Sequence, residues 1–102
     1  MMTSFALLAD PTRRHLLDEL RMGECSVGVL VERMQMSQPA VSKQLRVLRE
    51  AGLASVRIDA QRRIYRLHPE GLREVDEWLE PYRAFWVERI DAMERTLDSM
   101  EE

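Results

Sequence analysis

Apolar residues recur along this chain with two different periods. Up to residue 53 their spacing is helical, from 54 to 67 it alternates, and from 69 onward it is helical again. Residues 3–8 make a short apolar helix. Asp10-Pro11 reads as a cap followed by a proline at the first helical position, and Leu16, Leu17 and Leu20 give the next helix its buried stripe before Gly23 ends it. Ser26 caps a further short helix with Val27, Leu30, Val31 and Met34 on its inner side. After the very short link Gln35-Met36, Ser37 caps another. In that helix Val41, Leu45 and Leu48 face a core. Pro39 falls in the first turn, where its missing N–H costs nothing, and Gly52 closes the far end. Two short helices joined this tightly, over about residues 26–52, predict a helix-turn-helix.

The alternating stretch holds two strands, Ala54-Ser55-Val56-Arg57-Ile58 and Arg63-Ile64-Tyr65-Arg66-Leu67. Together they predict a β-hairpin over about 54–67. The connecting Asp59-Ala60-Gln61-Arg62 lacks glycine, which leaves its turn type open. A helix-turn-helix followed by a basic hairpin is a winged helix, so the expected fold class is mainly α with a small β-hairpin. Pro69 opens the last helical segment, about 69–100. There Leu72, Val75, Trp78, Leu79, Tyr82 and Trp86 keep helical spacing, and Trp86, Ile90, Met93, Leu97 and Met100 then step by the alternating fours and threes of a helix–helix seam. Pro81 is expected to kink or interrupt this segment. No repeat, low-complexity run or linker divides the chain, so all 102 residues read as one domain.

Charge is unevenly spread along the chain. The net charge of −3 argues weakly against a polyanionic partner. Yet residues 37–66 carry seven cations against two acids, whereas residues 69–102 carry four cations against eleven acids. Salt screens charges beyond about 8–10 Å, so phosphate attraction is a local matter and the basic middle decides it. The outer side of the 37–53 helix bears Gln38, Ser42, Lys43, Arg46 and Arg49, donors and cations suited to base edges and phosphates in a major groove. Arg57, Arg62 and Arg63, with Gln61 beside them, lie on or near the hairpin tip and suit backbone or minor-groove contacts. Double-stranded DNA is therefore the expected partner.

Other classes find little support. No apolar run approaches about 18 residues, so no transmembrane helix and no membrane partner are expected. The start shows no basic segment followed by a long apolar stretch, so no secretory signal is expected. Cys25 is the single cysteine, which precludes an internal disulfide and suits a reducing cytoplasm. There is no glycine-rich phosphate loop and no nucleophile with a plausible histidine partner, so the chain is not expected to be an enzyme.

Four segments together, Leu-Ala-Asp-Pro-Thr-Arg-Arg at 8–14, Ser-Gln-Pro-Ala-Val-Ser-Lys-Gln-Leu at 37–45, Leu-Arg-Glu-Ala-Gly-Leu at 48–53 and Ile-Tyr-Arg-Leu at 64–67, resemble the ArsR/SmtB family of bacterial transcription regulators. The resemblance covers roughly residues 5–80 and implies a dimeric winged-helix protein that mostly represses transcription. It places Gln38, Ser42 and Lys43 at base-reading positions, Pro39 and Gln44 on the same helix, and Arg46 and Arg49 as phosphate clamps. Gln44 sits nearer the core and either buttresses the helix or touches a phosphate. One metal-sensing branch of the family carries a Cys-Val-Cys motif. Ser26 and Gly28 stand at the matching positions here, with Cys25 one residue out of register. A second branch places Asp and His ligands on the final helix, which holds no histidine in this chain; His15 and His68 lie on other elements. Soft divalent metals want clustered thiolate or imidazole, so no metal and no other cofactor is expected.

Two groups admit rival readings. Phe5, Leu8, Trp78, Leu79, Tyr82, Phe85, Trp86, Ile90 and Met93 make an apolar and aromatic set at the two chain ends. A dimer interface between first and last helices is the favoured reading, and a small-ligand pocket in that region is the alternative. Cys25 is expected to be an ordinary small side chain rather than a thiol switch, and His15 a partly buried one. A third alternative makes the acidic last helix a protein-interaction surface. An effector, if there is one, is not identified by the sequence.

Overall fold

The structure, a computed structural model, describes residues 4–101. Helix α1 spans Ser4–Leu8, α2 Pro11–Arg21, α3 Val27–Met34 and α4 Gln38–Glu50. Strand β1 is Cys25–Ser26, β2 is Ala54–Asp59 and β3 is Arg62–Leu67; a 3-10 turn at Pro69–Leu72 leads into α5, Arg73–Glu101. Thr3, which the sequence pattern includes in the first helix, lies outside the described residues.

The helix starts follow from local chemistry. Asp10 accepts a hydrogen bond from the Thr12 N–H, Ser26 from Val29 and Ser37 from Ala40, each at the head of its helix. The α4 terminus is closed by two backbone bonds, Gly52 N–H to the Arg49 carbonyl (3.0 Å) and Leu53 N–H to the Leu48 carbonyl (2.9 Å), with Gly52 at φ 79°. That paired arrangement needs a left-handed residue, which glycine supplies without steric cost. It also turns Leu53 inward, where it is fully buried.

One core holds the helix-turn-helix and the wing together. Leu7, Leu16, Leu30, Val41, Leu45, Leu48 and Leu53 are each fully enclosed, and Leu17, Leu20, Cys25, Ala54 and Tyr65 complete the cluster. Burial of such side chains contributes roughly 1.5–3 kcal/mol each. The helical stripes in the sequence supply most of this set. Val27, Val31 and Met34 of α3 are only half-buried but pack against it.

Three features depart from the sequence pattern. The hairpin is the larger part of a three-stranded antiparallel sheet of order β1-β3-β2, with Cys25 opposite Tyr65 and Ser26 opposite Ile64. A two-residue strand is too short to display alternation, so its pairing is visible only in three dimensions. Pro81 does not interrupt the last helix: α5 runs unbroken through it for 29 residues, because one missing N–H removes a single bond from a long ladder. The final segment is thus one helix behind a 3-10 turn. His15 is exposed rather than partly buried, its ring 3.6 Å from Glu19.

Helix α5 reaches well beyond the core. Its length is about 43 Å at 1.5 Å per residue, and the described chain measures 63 × 30 × 21 Å. Phe85, Trp86, Ile90, Met93 and Leu97 are all about half exposed or more. A folded chain does not normally leave an apolar row of this length open to water.

Candidate nucleic-acid interface

Helix α4 and the wing face each other across an open groove of about 660 Å³. Gln38, Ser42, Lys43, Arg46 and Arg49 form one wall and Gln61, Arg62 and Arg63 the other. The start of α3 (Ser26, Val27, Gly28) and Tyr65 also line it. Among the described residues that line it, five are cations and none is acidic. The geometry follows from helical spacing: Val41, Leu45 and Leu48 anchor α4 to the core, which turns Gln38, Ser42, Lys43, Arg46 and Arg49 away from it.

Several of these side chains are already oriented. The Gln38 amide nitrogen donates to the Ser42 hydroxyl at 2.8 Å, one helical turn on. Arg46 pairs with Glu50 at 3.2 Å and Arg62 with Asp59 at 3.3 Å, both among exposed groups. Such surface pairs contribute little, so either guanidinium exchanges its carboxylate for a phosphate at small cost. Lys43, Arg49 and Arg63 enter no ion pair among the described residues. Pro39 is exposed in the first turn of α4.

Two of the expected site residues are engaged elsewhere. Gln44 is half-buried, and its side-chain carbonyl accepts from Arg13 Nε at 2.9 Å. It therefore braces α4 against α2. Arg57 does not line the groove; its Nη2 donates to Glu24 Oε1 at 2.6 Å. That hydrogen bond, with the attraction that accompanies it, holds the Glu24 carboxyl below its ordinary range and raises the Arg57 guanidinium. Arg13 and Glu24 lie 31 and 33 residues from their partners, so no local pattern could reveal them. The contribution of the α3 start to the groove was equally hidden.

The thiol and the chain ends complete the inventory. Cys25 is buried, donates to the Gly23 carbonyl at 3.6 Å and lies 3.5 Å from Arg33 Nη1. Arg33 also pairs with Glu19 at 3.3 Å. Among the described residues no three His, Cys, Asp or Glu side chains are grouped to hold a metal ion. Among the described residues no helix is long and apolar enough to cross a membrane. Phe5 meets Trp78 edge-on at 5.7 Å, and Trp78 lies 5.0 Å from Tyr82, which joins α1 to α5. Leu8 and Leu79 of the terminal set are half-buried, unlike the aromatic residues.

The family model for bacterial regulatory proteins of the arsR family matches residues 10–56, from the cap of α2 into the wing. A regulator of Mycobacterium tuberculosis described as HTH-type transcriptional regulator Rv2034 is 37% identical over 92 residues, 90% of this chain and 83% of that one. This chain belongs to the ArsR family. Its members are DNA-binding transcriptional regulators, not enzymes. The Bacillus subtilis transcriptional repressor SdpR is 32% identical to this ArsR-family chain, over 74% of it and 83% of the repressor. A crystal structure titled as a possible transcriptional regulator for arsenical resistance matches with TM-score 0.72 and 36% identity, over 91% of this chain and 94% of that one. A Mycobacterium bovis domain, titled a homodimeric winged helix-turn-helix DNA-binding domain, matches with TM-score 0.62 and 26% identity, over 76% of this chain and 72% of the other. The winged helix-turn-helix expected from the sequence is the fold of this chain.

Proposed function

We propose that this ArsR-family regulator is a homodimeric repressor that inserts α4 into the major groove of a palindromic operator and lays the wing on the flanking backbone. It acts in the bacterial cytoplasm, where the DNA lies. The observation that carries this reading is the acid-free groove lined by Lys43, Arg46, Arg49, Arg62 and Arg63 between α4 and the wing. Gln38, Ser42 and Lys43 read bases: the Gln38 amide suits an adenine edge, and Lys43 a guanine edge or phosphate. Arg46, Arg49, Arg62 and Arg63 clamp phosphates, while Gln61 lies close to the backbone at the wing tip. Gln44 and Arg57 are positioning residues, the first for α4 and the second for the wing base.

The dimer uses α1 and α5. Its support is the exposed row Phe85, Trp86, Ile90 and Met93, continued by Phe5, Trp78 and Tyr82, together with the homodimeric neighbour of the same fold. Repression follows from occupancy of a promoter, and relatives named as repressors support that direction. Two-fold symmetry then sets the half-sites one helical turn apart, about 10 bp or slightly more.

Substitution separates base reading from phosphate clamping. Gln38→Ala with Lys43→Ala should cost about 1–3 kcal/mol of discrimination for each base that is no longer read, with a smaller loss on random DNA from the missing Lys43 charge. Arg62→Ala should weaken all sequences alike and lower the salt slope by about 1. Undiminished selectivity in the Gln38/Lys43 variant, measured by competition between operator and random duplexes, would contradict the assignment of α4.

A further inference from the structure

One corner of the groove between α4 and the wing is built from uncharged groups. Ser26, Val27 and Gly28, where β1 passes into α3, line it together with Tyr65 of β3. The pairing of Cys25 with Tyr65 and of Ser26 with Ile64 brings the two segments side by side.

Tyr65 is 4% exposed and belongs to the core cluster. Its hydroxyl makes no hydrogen bond among the described residues. No unpartnered side-chain oxygen or nitrogen of the described residues is sealed inside the protein, so this hydroxyl reaches the surface, at the groove that Tyr65 lines. A nearly buried hydroxyl without a partner is costly to keep, and here it is a donor open to a ligand in a cationic groove.

Helix α3 begins beside it. Ser26 Oγ accepts from the Val29 N–H at 3.3 Å, which leaves the Val27 and Gly28 N–H groups of the first turn without an intrahelical partner. The positive end of the helix dipole adds to them. Gly28 keeps this end open. A Cβ there would meet nothing nearer than Ser26 Oγ at 4.0 Å, and φ is not positive, so neither packing nor backbone demands glycine. Helix side chains lean toward the N-terminus, so a larger residue at 28 would stand where an anion approaches those N–H groups. Arg63, two residues before Tyr65 on the same face of β3, lines the same groove and enters no ion pair among the described residues.

We infer that this corner seats one phosphodiester group of a bound duplex: the Tyr65 hydroxyl and the Val27 and Gly28 N–H groups donate to its oxygens, and Arg63 supplies the charge. The inference rests on the proposed insertion of α4 into DNA and adds the point that fixes its depth. Long cationic side chains can follow a phosphate, whereas backbone N–H groups and a tyrosine anchored in the core cannot. A phosphate held there sets how far α4 enters the major groove, and in which register.

The test uses the whole protein and a labelled random-sequence duplex, with binding measured from about 50 to 200 mM salt. Tyr65→Phe removes only the hydroxyl, so it should melt like the wild type. It should bind the duplex about tenfold or more weaker, as expected for a lost hydrogen bond to a charged acceptor. Its salt slope should be unchanged, because no cation is lost. Gly28→Val, no worse than glycine for helix stability, should weaken binding to a similar degree. The double variant should be scarcely weaker than either single one, since both empty one seat. Arg62→Ala is the control outside the seat: it should lower the slope by about 1, and its effect should add to that of Tyr65→Phe. Wild-type affinity in a folded Tyr65→Phe protein, a fall in its salt slope, or simple additivity of Tyr65→Phe and Gly28→Val would overturn the seat while the Arg62→Ala control still upholds the groove. Unchanged binding in all three single variants would instead remove DNA from the groove, and the proposed function with it.

Discussion

Ala60 sits at φ 58° in the two-residue loop that joins Asp59 to its cross-strand partner Arg62. Gln61 is not among the positive-φ residues, so the φ signs are those of a type II′ turn, in which glycine normally takes the first position. An L side chain there costs on the order of 1 kcal/mol. Ala60→Gly should therefore stabilise the fold by about 0.5–1 kcal/mol in urea unfolding, and a loss of stability would contradict this account of the wing tip. The missing glycine is why the turn was undetermined from sequence although both strands were legible. The outward face of α4 was legible for a simple reason: a helix pattern states which side is not core. What Gln44 and Arg57 bind was illegible, because Arg13 and Glu24 lie far along the chain.

At the level of elements, the 3-10 turn is fastened to the end of α4. A Cβ on Gly71 would lie 2.6 Å from the Gly52 carbonyl oxygen and 2.7 Å from a Leu53 methyl group. The Gly71 carbonyl also accepts from the Ser4 hydroxyl at 3.1 Å, which ties α1 to the same point. Gly71→Ala should thus cost about 1–3 kcal/mol by forcing backbone apart, read as a lowered urea midpoint with an unchanged slope. An unaltered midpoint would show that this packing is loose. Caps, stops and the helix-turn-helix link were readable because each rests on residues within one turn of the other. The short β1 and the continuity of α5 through Pro81 were not, since the first depends on Tyr65 and Ile64 across the sheet and the second on a ladder much longer than the defect.

For the molecule as a whole, the decisive asymmetry is between a basic middle that lines the groove between α4 and the wing and an acidic, apolar-striped α5. Ile90 is 54% exposed and lies outside the core cluster, so a charge there spares the fold and meets only a partner helix. Ile90→Glu should shift the protein to monomer in sedimentation equilibrium with its secondary structure retained, and its melting temperature should fall and lose its dependence on protein concentration. A monomer engages one half-site instead of two, so operator binding should weaken by about a hundredfold or more. A variant that remains dimeric would move the interface off α5. Spacing of fours and threes in the sequence marked an apolar stripe, and the structure leaves that stripe exposed from Phe85 to Met100, whereas Leu8 and Leu79 are half-buried within the chain.

In the proposed dimer, paired α4 helices read a two-fold symmetric site. Selection of the purified protein on a randomised duplex pool at about 150 mM salt, where non-specific attraction is reduced, addresses it most directly. An inverted repeat with half-sites about 10 bp apart should be enriched, and blurred when Gln38 and Lys43 are replaced. Enrichment of a single unrepeated site, or of no sequence at all, would contradict it.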